Sequence, residues 1–414
     1  MNRPDPAPPT HSTGIIKSLT CLMFMMFAMT TDAVGLIIPE VIKAFDLGLT
    51  AGGAFHYATM AGVALSGLGL GFLADRWGRK NAILIGLTAF SASSLLFIVG
   101  DSFIFFLVLL FTSGLAIGVF KTAALALIGD ISTSSRGHTS MMNMVEGFFG
   151  VGAIIGPAIV AWLLASGASW KGLYVVAGIL AAALSITALL TRYPGTKQTA
   201  EPVDAKAIVA MTSDPFALAF SLGAMVYVGV ETAIYVWMPT LLEGYSGRWA
   251  WFAAYALSIF FALRAAGRFL GAWLLGRMSW ATVLVVASGG ILACFGAAVL
   301  GGRASAVWSL PLSGLFMSVI YPTLNSKGIS CFPKVRHGAV AGLILFFTAV
   351  SAVLSPLAMG ASSDLFGGPR FGFYLAAGFA VVLFAGCLAN RVWNPAEHRL
   401  ARLNDSEYED AASV

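Results

Sequence analysis

The chain has 414 residues, of which 58% are hydrophobic and only 10% are charged. Because a soluble domain carries roughly 25% charged residues, this composition excludes an ordinary soluble enzyme or nucleic-acid-binding protein and indicates a protein embedded in a lipid bilayer. The formal net charge of +5 is therefore interpreted from the positions of Lys and Arg along the chain.

Twelve apolar runs follow a polar, Pro-rich segment at residues 1–14, and each is long enough to cross a bilayer as a helix. These predicted spans 1 to 12 cover residues 15–41, 51–74, 81–99, 103–128, 139–165, 171–191, 215–242, 249–276, 280–300, 305–329, 338–362 and 371–391. Most connections are short, which predicts that consecutive spans are antiparallel neighbours.

The one long polar connection, 192–214, divides the spans six and six. We therefore predict an all-α integral membrane protein. Its domains are a disordered cytosolic tail at 1–14, a six-helix bundle at 15–191, a cytosolic linker at 192–214, a second six-helix bundle at 215–393 and a cytosolic tail at 394–414.

The distribution of positive charge predicts the orientation. An even number of spans places both termini on one side of the membrane. Of the 24 Lys and Arg residues, 17 lie in or beside segments on that side and five on the other. Because cytosolic loops carry the excess of Lys and Arg, both termini are expected in the cytosol and the protein in the cell inner membrane.

The two halves of the chain repeat their Gly and Pro positions. The corresponding pairs, offset by 199 or 200 residues, are Pro39 with Pro239, Gly71 with Gly271 and Pro157 with Pro356. A repeat of this kind predicts two bundles related by a pseudo-two-fold axis along the membrane normal, with a cavity between them.

The connection between spans 2 and 3, "GFLADRWGRK" at 71–80, places one acid and three bases within six positions. It resembles the G-x-L-A-D-R-x-G-R-K signature of the major facilitator superfamily. This resemblance implies the major facilitator fold and a secondary active transporter working by alternating access, not an enzyme. It also implies a gate that holds the cytosolic side shut, formed by Gly71, Asp75, Arg76, Gly78 and Arg79.

Five charged residues lie inside predicted spans, where charge is costly and marks candidate functional groups: Asp32, Lys121, Glu146, Glu231 and Arg264. At 1.5 Å per residue, Lys121 and Glu146 both lie roughly 12 Å from the cytosolic ends of their helices, and Glu231 and Arg264 both lie roughly 20 Å deep. These matched depths predict two ion pairs, which either lock the helices or take part in transport. Asp32 is left without an obvious partner, and the three acids are the candidate proton-coupling residues.

Polar and aromatic side chains at similar depth are candidates to line a substrate cavity. Together with the two basic residues they form the predicted substrate set: Lys121, Asn143, Tyr227, Tyr235, Trp237, Arg264, Tyr321 and Asn325.

Three stretches of the second half look more specifically like the fucose–galactose–glucose proton symporters: "YVGVETAIYVWMPTL" at 227–241, "GRFLGAWLLGR" at 267–277 and "FMSVIYPTLNSKGI" at 316–329. The resemblance implies a monosaccharide or similar polyol as substrate, driven by protons. Lys121 stands where that family has an acid, and a cation in the cavity favours a sugar acid or another organic anion.

Two alternatives stay open at this point. "GVGAIIGPAIV" at 150–160, and Asp32 followed by Pro39, resemble elements of drug/proton antiporters. A non-transporting membrane sensor or membrane enzyme is the remote alternative. The expected partners are a small-molecule substrate, protons and the lipid bilayer, with no nucleic acid, and the expected state is a monomer. The scattered His and Cys residues suggest no metal, cofactor or disulfide.

Overall fold

The computed structural model describes residues 13–69, 76–131, 135–194, 205–333 and 336–400, and over these residues the predicted spans coincide with helix. A helix satisfies all its backbone polar groups internally, as the hydrocarbon of a bilayer requires. The long helices are Thr13–Thr31 and Val34–Phe45 (span 1), Ala54–Gly69 (span 2), Arg79–Leu95 (span 3), Phe103–Ile131 (span 4), Ser135–Ala165 (span 5), Lys171–Leu190 (span 6), Pro215–Thr232 with Met238–Leu242 (span 7), Ala256–Leu275 (span 8), Trp280–Met317 with Ile320–Ser330 (spans 9 and 10), His337–Phe366 (span 11) and Arg370–Trp393 (span 12).

Ten helical segments of the described chain are long and apolar enough to cross a membrane. One of them, Trp280–Ser330, has 51 residues and contains two crossings, because the chain turns at Gly302 with φ 63° and ψ −158°. The described helix of span 2, Ala54–Gly69, has 16 residues and is shorter than a crossing of about 20 residues. With these two adjustments the segments correspond to the twelve predicted spans.

The chain forms two compact units. The first comprises the described residues of Met1–Thr30, Ala61–Gly152 and Lys171–Thr199, and the second those of Thr31–Met60, Ala153–Trp170 and Ala200–Val414. The division at the linker 192–214 stays a prediction from polarity. In the compact units, residues 31–60 and 153–170 are grouped with the second half of the chain.

The first unit is built around span 3, which packs against spans 4 and 6. Its core is aliphatic and aromatic, and it includes the buried rings of Phe24, Phe27, Phe90 and Phe120. The rings of Phe27 and Phe120 meet edge to face with centroids 5.7 Å apart, a favourable arrangement of aromatic quadrupoles.

In the second unit, span 7 packs against spans 11 and 12, and span 12 also packs against span 9. Large apolar side chains remain exposed on its helices, such as Phe269 at 82% and Leu300 at 89%. In a chain that crosses a bilayer these side chains face hydrocarbon, so their exposure carries no aqueous penalty.

Three interruptions of the helices lie in the second unit. Span 1 breaks at Asp32–Ala33, and span 7 contains a π-helical segment at Ala233–Trp237. Span 10 breaks at Ser318–Val319, where Pro322 has no N–H to donate to the Ser318 carbonyl. Non-helical backbone inside a membrane protein is tolerated where it is buried or lines a cavity, and such breaks often mark binding sites.

Candidate functional site

A buried ion pair joins spans 7 and 8 in the second unit. The Nη2 of Arg264 lies 2.6 Å from Oε1 of Glu231, and the side chains are 22% and 11% exposed. The predicted Glu231–Arg264 pair is therefore formed. A buried pair stabilises a fold poorly in comparison with apolar packing, so its presence within the membrane indicates a functional role.

Tyr227 holds the carboxylate of this pair from one turn earlier on span 7. Its hydroxyl lies 3.0 Å from Oε1 of Glu231 and 3.0 Å from the carbonyl oxygen of Met317. Tyr227 is completely buried, and its ring stacks against that of Tyr321 with centroids 6.3 Å apart. Tyr227 was predicted to line the substrate cavity; in the structure it is fully buried and hydrogen-bonded to Glu231.

Asp32 lies at the break in span 1 and belongs to the same electrostatic cluster. Its carboxylate accepts a hydrogen bond from Oγ1 of Thr31 at 3.3 Å and acts electrostatically on Arg264 and Tyr235. The sequence left Asp32 without an obvious partner, and the structure places it within the electrostatic influence of Arg264. The prediction considered span 1 and its sequence neighbours, whereas the cation lies on span 8.

The π-helical segment of span 7 packs directly against span 1. Gly35 lies against the carbonyl oxygen of Tyr235, and a Cβ at position 35 would collide with this oxygen. The glycine therefore permits the close approach that brings the break at Asp32 beside the π-helical segment. Tyr235 itself is half-buried.

The other predicted substrate residues of the second unit differ in exposure. Trp237 is 3% exposed, and its Nε1 donates to the carbonyl oxygen of Pro356 at 3.0 Å, so it serves packing rather than an open surface. Tyr321 and Asn325 are both half-buried and lie one turn apart on the helix Ile320–Ser330.

One hydrogen-bond donor of the charge cluster remains available, because the buried Nε of Arg264 has no hydrogen-bond partner among the described residues.

The first unit carries Lys121, Asn143 and Glu146. Lys121 is half-buried on span 4, with its ammonium 5.4 Å from the centre of the Phe27 ring, within the range of a cation–π contact. Asn143 and Glu146 are exposed on span 5. The predicted Lys121–Glu146 ion pair is not formed in this structure, in which Glu146 is exposed.

The described part of the predicted gate begins at Arg76, since Gly71 and Asp75 lie outside the described residues. Arg76 is exposed, whereas Arg79 is 2% exposed and forms an ion pair with Asp130 at 3.1 Å. Gly78 precedes span 3 with a φ of 84°, a conformation that favours glycine. Asp130 was missed by sequence reasoning; its position near the end of span 4 was the available signal.

A second set of missed contacts joins residues 49–57 to span 11 within the second unit. Pro356 has no N–H, which leaves the Ala352 carbonyl without its usual helical donor, and the ring Nε2 of His56 lies 3.0 Å from this oxygen. The Tyr57 hydroxyl donates to the Pro356 carbonyl at 3.1 Å. The proline in span 11 was visible in the sequence as part of the internal repeat.

One cavity of the second unit, of about 490 Å³, lies apart from the charge cluster. Apolar side chains from spans 7, 9, 10 and 12 dominate its lining, including Phe220, Leu284 and Leu383. Such a lining cannot satisfy the hydrogen-bonding groups of a polar solute, so the charge cluster is the better candidate site.

Comparison with known proteins agrees with these features. The sequence matches the family model described as Major Facilitator Superfamily over residues 20–356. The L-fucose-proton symporter of Escherichia coli K12 is 26% identical over 413 aligned residues, covering 88% of this chain and 91% of that protein. The glucose/galactose transporter of Brucella abortus is 25% identical, covering 85% of this chain and 88% of that protein.

Among solved structures, that of a bacterial homolog to the human lysosomal transporter Spinster resembles this fold with a TM-score of 0.76 at 16% identity. The match covers 96% of this chain and 99% of that chain. The family match spans most of the sequence and includes the signature loop, confirming the expected twelve-helix fold and the expectation of a transporter rather than an enzyme. The chain belongs to the Major Facilitator Superfamily.

Proposed function

We propose that this protein is a proton-coupled symporter that moves a monosaccharide or a sugar acid across the inner membrane by alternating access. The observation that carries the proposal is the buried Glu231–Arg264 pair with Asp32 in its field. The named relatives support it, since two of them are a fucose-proton symporter and a glucose/galactose transporter.

The charge balance of the cluster supports proton coupling. Two carboxylates, Glu231 and Asp32, act on Arg264, so at least one negative charge is not neutralised by that guanidinium. Arg268, one turn further along span 8, is exposed, and Arg264 is the guanidinium on which both carboxylates act. In a low-dielectric environment an excess carboxylate favours binding of one proton. We assign this proton to Glu231, with Asp32 as the second member of a coupled pair.

The donor groups of the cluster support a substrate rich in oxygen acceptors. The unsatisfied Nε of Arg264 suits a hydroxyl or carboxylate oxygen, because a buried donor without a partner is costly. Half-buried Tyr235, Tyr321 and Asn325 add further polar groups and aromatic faces of the kind that sugar rings pack against.

The test is uptake by purified protein in liposomes with an imposed pH gradient, acidic outside. We expect a labelled neutral sugar or sugar acid to accumulate above its external concentration, and a protonophore to abolish the accumulation. The panel contains fucose, galactose, glucose, their uronic acids and an organic cation. Expulsion of the organic cation without sugar accumulation would contradict symport and indicate the drug/proton antiporter.

The assignment of the coupling residue is tested by Glu231→Gln, which imitates the protonated state permanently. We expect the variant to keep exchange of labelled for unlabelled substrate and to lose accumulation driven by pH. Glu243→Gln is the matched control, because Glu243 lies just after the end of span 7. Its carboxylate forms an ion pair with Lys43 at 2.5 Å, and its side chain is 34% exposed. If Glu231→Gln still concentrates substrate, the role passes to Asp32 or Glu146.

We also propose that both termini are cytosolic, that the protein is monomeric and that the gate includes Gly71 and Asp75. The charge bias of the sequence supports the orientation. Cysteines placed at residue 199 and in the C-terminal tail should react with a membrane-impermeant reagent only from the cytosolic side. Labelling in intact cells would contradict the orientation.

A further inference from the structure

The hydroxyl of Tyr227 has a single hydrogen but two possible acceptors. Oε1 of Glu231 and the carbonyl oxygen of Met317 each lie 3.0 Å from the phenolic oxygen. Tyr227 is fully buried and Glu231 is 8% exposed, so bulk water does not serve as an alternative partner. A phenolic hydrogen rotates to the better acceptor, and here the better acceptor depends on the charge of Glu231.

While Glu231 is ionised, its carboxylate attracts the phenolic hydrogen, because a hydrogen bond to a charged acceptor is roughly twice as strong as a neutral one. When Glu231 gains the transported proton, the charge is lost and the carboxyl group itself becomes a donor. The phenolic hydrogen then turns to the Met317 carbonyl, and the phenolic oxygen accepts from the new Glu231 hydroxyl. No covalent bond of Tyr227 forms or breaks.

Met317 is the last residue of the helix that ends at the break in span 10. The helix resumes at Ile320, and the ring of Tyr321 in its first turn stacks against the ring of Tyr227. Tyr227 therefore contacts the residues on both sides of the break. Because Pro322 cannot donate to the Ser318 carbonyl, the helix lacks one of its regular hydrogen bonds at this point and is easier to bend than a continuous helix.

We infer that Tyr227 is a positioning residue. It orients the ionised carboxylate of Glu231, and it transmits the protonation of Glu231 to the break at Ser318–Val319 of span 10. This inference rests on the proposed function, in which Glu231 carries the transported proton. It goes further by naming the segment that responds to that proton.

Other charged and titratable groups face the same site and must be separated from Tyr227. They are Arg264 and Arg268 on span 8, Asp32 on span 1 and Tyr235 on span 7. All of them persist in Tyr227→Phe, which removes one oxygen and keeps the ring.

The first measurement is the pH midpoint of substrate binding to purified protein. Loss of the phenolic donor destabilises the ionised form of Glu231, so Tyr227→Phe should shift the midpoint upward by about one pH unit. The matched control is Tyr174→Phe, which removes a buried tyrosine hydroxyl from span 6 of the first unit and should leave the midpoint unchanged. In a Glu231→Gln background Tyr227→Phe should cause no further shift.

The second measurement is amide hydrogen exchange of a peptide that contains residues 317–321. Glu231→Gln should slow this exchange, because the phenolic hydrogen then binds Met317 continuously, and the slowing should disappear in the double variant with Tyr227→Phe. If Tyr227→Phe does not fold, 3-fluorotyrosine at position 227 replaces it. This stronger donor stabilises ionised Glu231, so the midpoint should move to lower pH.

The outcomes separate the two proposals. An unchanged midpoint and unchanged exchange in Tyr227→Phe, with the pH dependence still abolished by Glu231→Gln, would overturn the role of Tyr227 and leave the proposed function intact. A wild-type pH dependence in Glu231→Gln would overturn the assignment of Glu231 as the coupling residue, and the inference about Tyr227 with it.

Discussion

Arg399 binds both carboxylate oxygens of Asp214: Nη1 lies 3.1 Å from Oδ1 and Nη2 lies 2.9 Å from Oδ2. The same carboxylate caps the helix of span 7 by accepting the N–H groups of Phe216 and Ala217 at 2.9 and 3.3 Å. Burial acts to raise the pKa of Asp214, but these hydrogen bonds and the Arg399 charge outweigh it and hold the pKa below its ordinary value. One side chain thus joins the segment after span 12 to the start of span 7.

Replacing Asp214 separates the ion pair from the helix cap. Asp214→Asn keeps an acceptor for the cap and loses the ion pair, whereas Asp214→Ala loses both. We expect the thermal unfolding temperature in detergent to be lower in Asp214→Asn than in the wild type, and lower still in Asp214→Ala. The difference between the two variants should correspond to about 1 kcal/mol of unfolding free energy.

The pH dependence of this effect follows from the direction of the pKa shift. Because the pKa of Asp214 is lower in the folded protein, the stabilisation is present above the unfolded value of roughly 4 and is lost as the pH falls through the folded value. The difference in unfolding temperature between wild type and Asp214→Asn should be constant from about pH 8 to pH 5 and shrink below about pH 4. A difference that grows toward acid pH would contradict the assignment.

Breaking the buried pair of Arg79 and Asp130 should be costly. Asp130→Asn removes a charged partner from a guanidinium that is 3% exposed, and the expected loss of stability is about 3–5 kcal/mol. Replacing both residues with apolar ones, Arg79→Met with Asp130→Leu, should restore most of it. The control is exposed Arg76, where Arg76→Ala should change stability by no more than about 0.5 kcal/mol.

Double-mutant cycles should distinguish the two charge pairs predicted from depth. Lys121 and Glu146 make no ion pair, so the losses from Lys121→Met and Glu146→Gln should add, with a coupling below about 0.5 kcal/mol. Glu231 and Arg264, 2.6 Å apart, should show a coupling of about 1–3 kcal/mol in substrate binding. Recovery of transport in the Lys121–Glu146 double variant would mean that the two side chains meet during the transport cycle.

The carboxylate of Asp364 should hold the backbone of residues 49 and 50 in place. It accepts the N–H of Leu49 at 2.7 Å and of Thr50 at 2.8 Å, satisfying donors at the start of a short helix. In Asp364→Ala, the amide exchange of these two residues should accelerate about tenfold, since each lost hydrogen bond is worth about 1 kcal/mol or more. The control is Asp101→Ala, because the carboxylate of Asp101 is 93% exposed and binds Lys171. Unchanged amide exchange in Asp364→Ala would show that the hydrogen bonds of Asp364 do not hold residues 49 and 50 in place.

Sequence alone determined the number and positions of the spans. A helix within hydrocarbon needs about 20 apolar residues in sequence, and that requirement is local, so each predicted span coincides with helix over its described residues. The family signature at 71–80 is likewise a contiguous pattern, and the family match confirmed what it implied. The pairing of Glu231 with Arg264 was also predictable, because equal depth in the membrane left few other partners.

Only the tertiary structure decided which charges meet. Asp32 lies in the field of Arg264 across distant spans, Arg79 binds Asp130, and Glu146 is exposed and forms no ion pair with Lys121. Each residue advances a helix by about 100°, so contact depends on rotation about the helix axis as well as on depth. In a soluble protein the apolar stripe of a helix reveals that rotation, but a helix surrounded by lipid and apolar neighbours is hydrophobic all round. The packing of the spans therefore fixed the rotation, and with it the charge cluster.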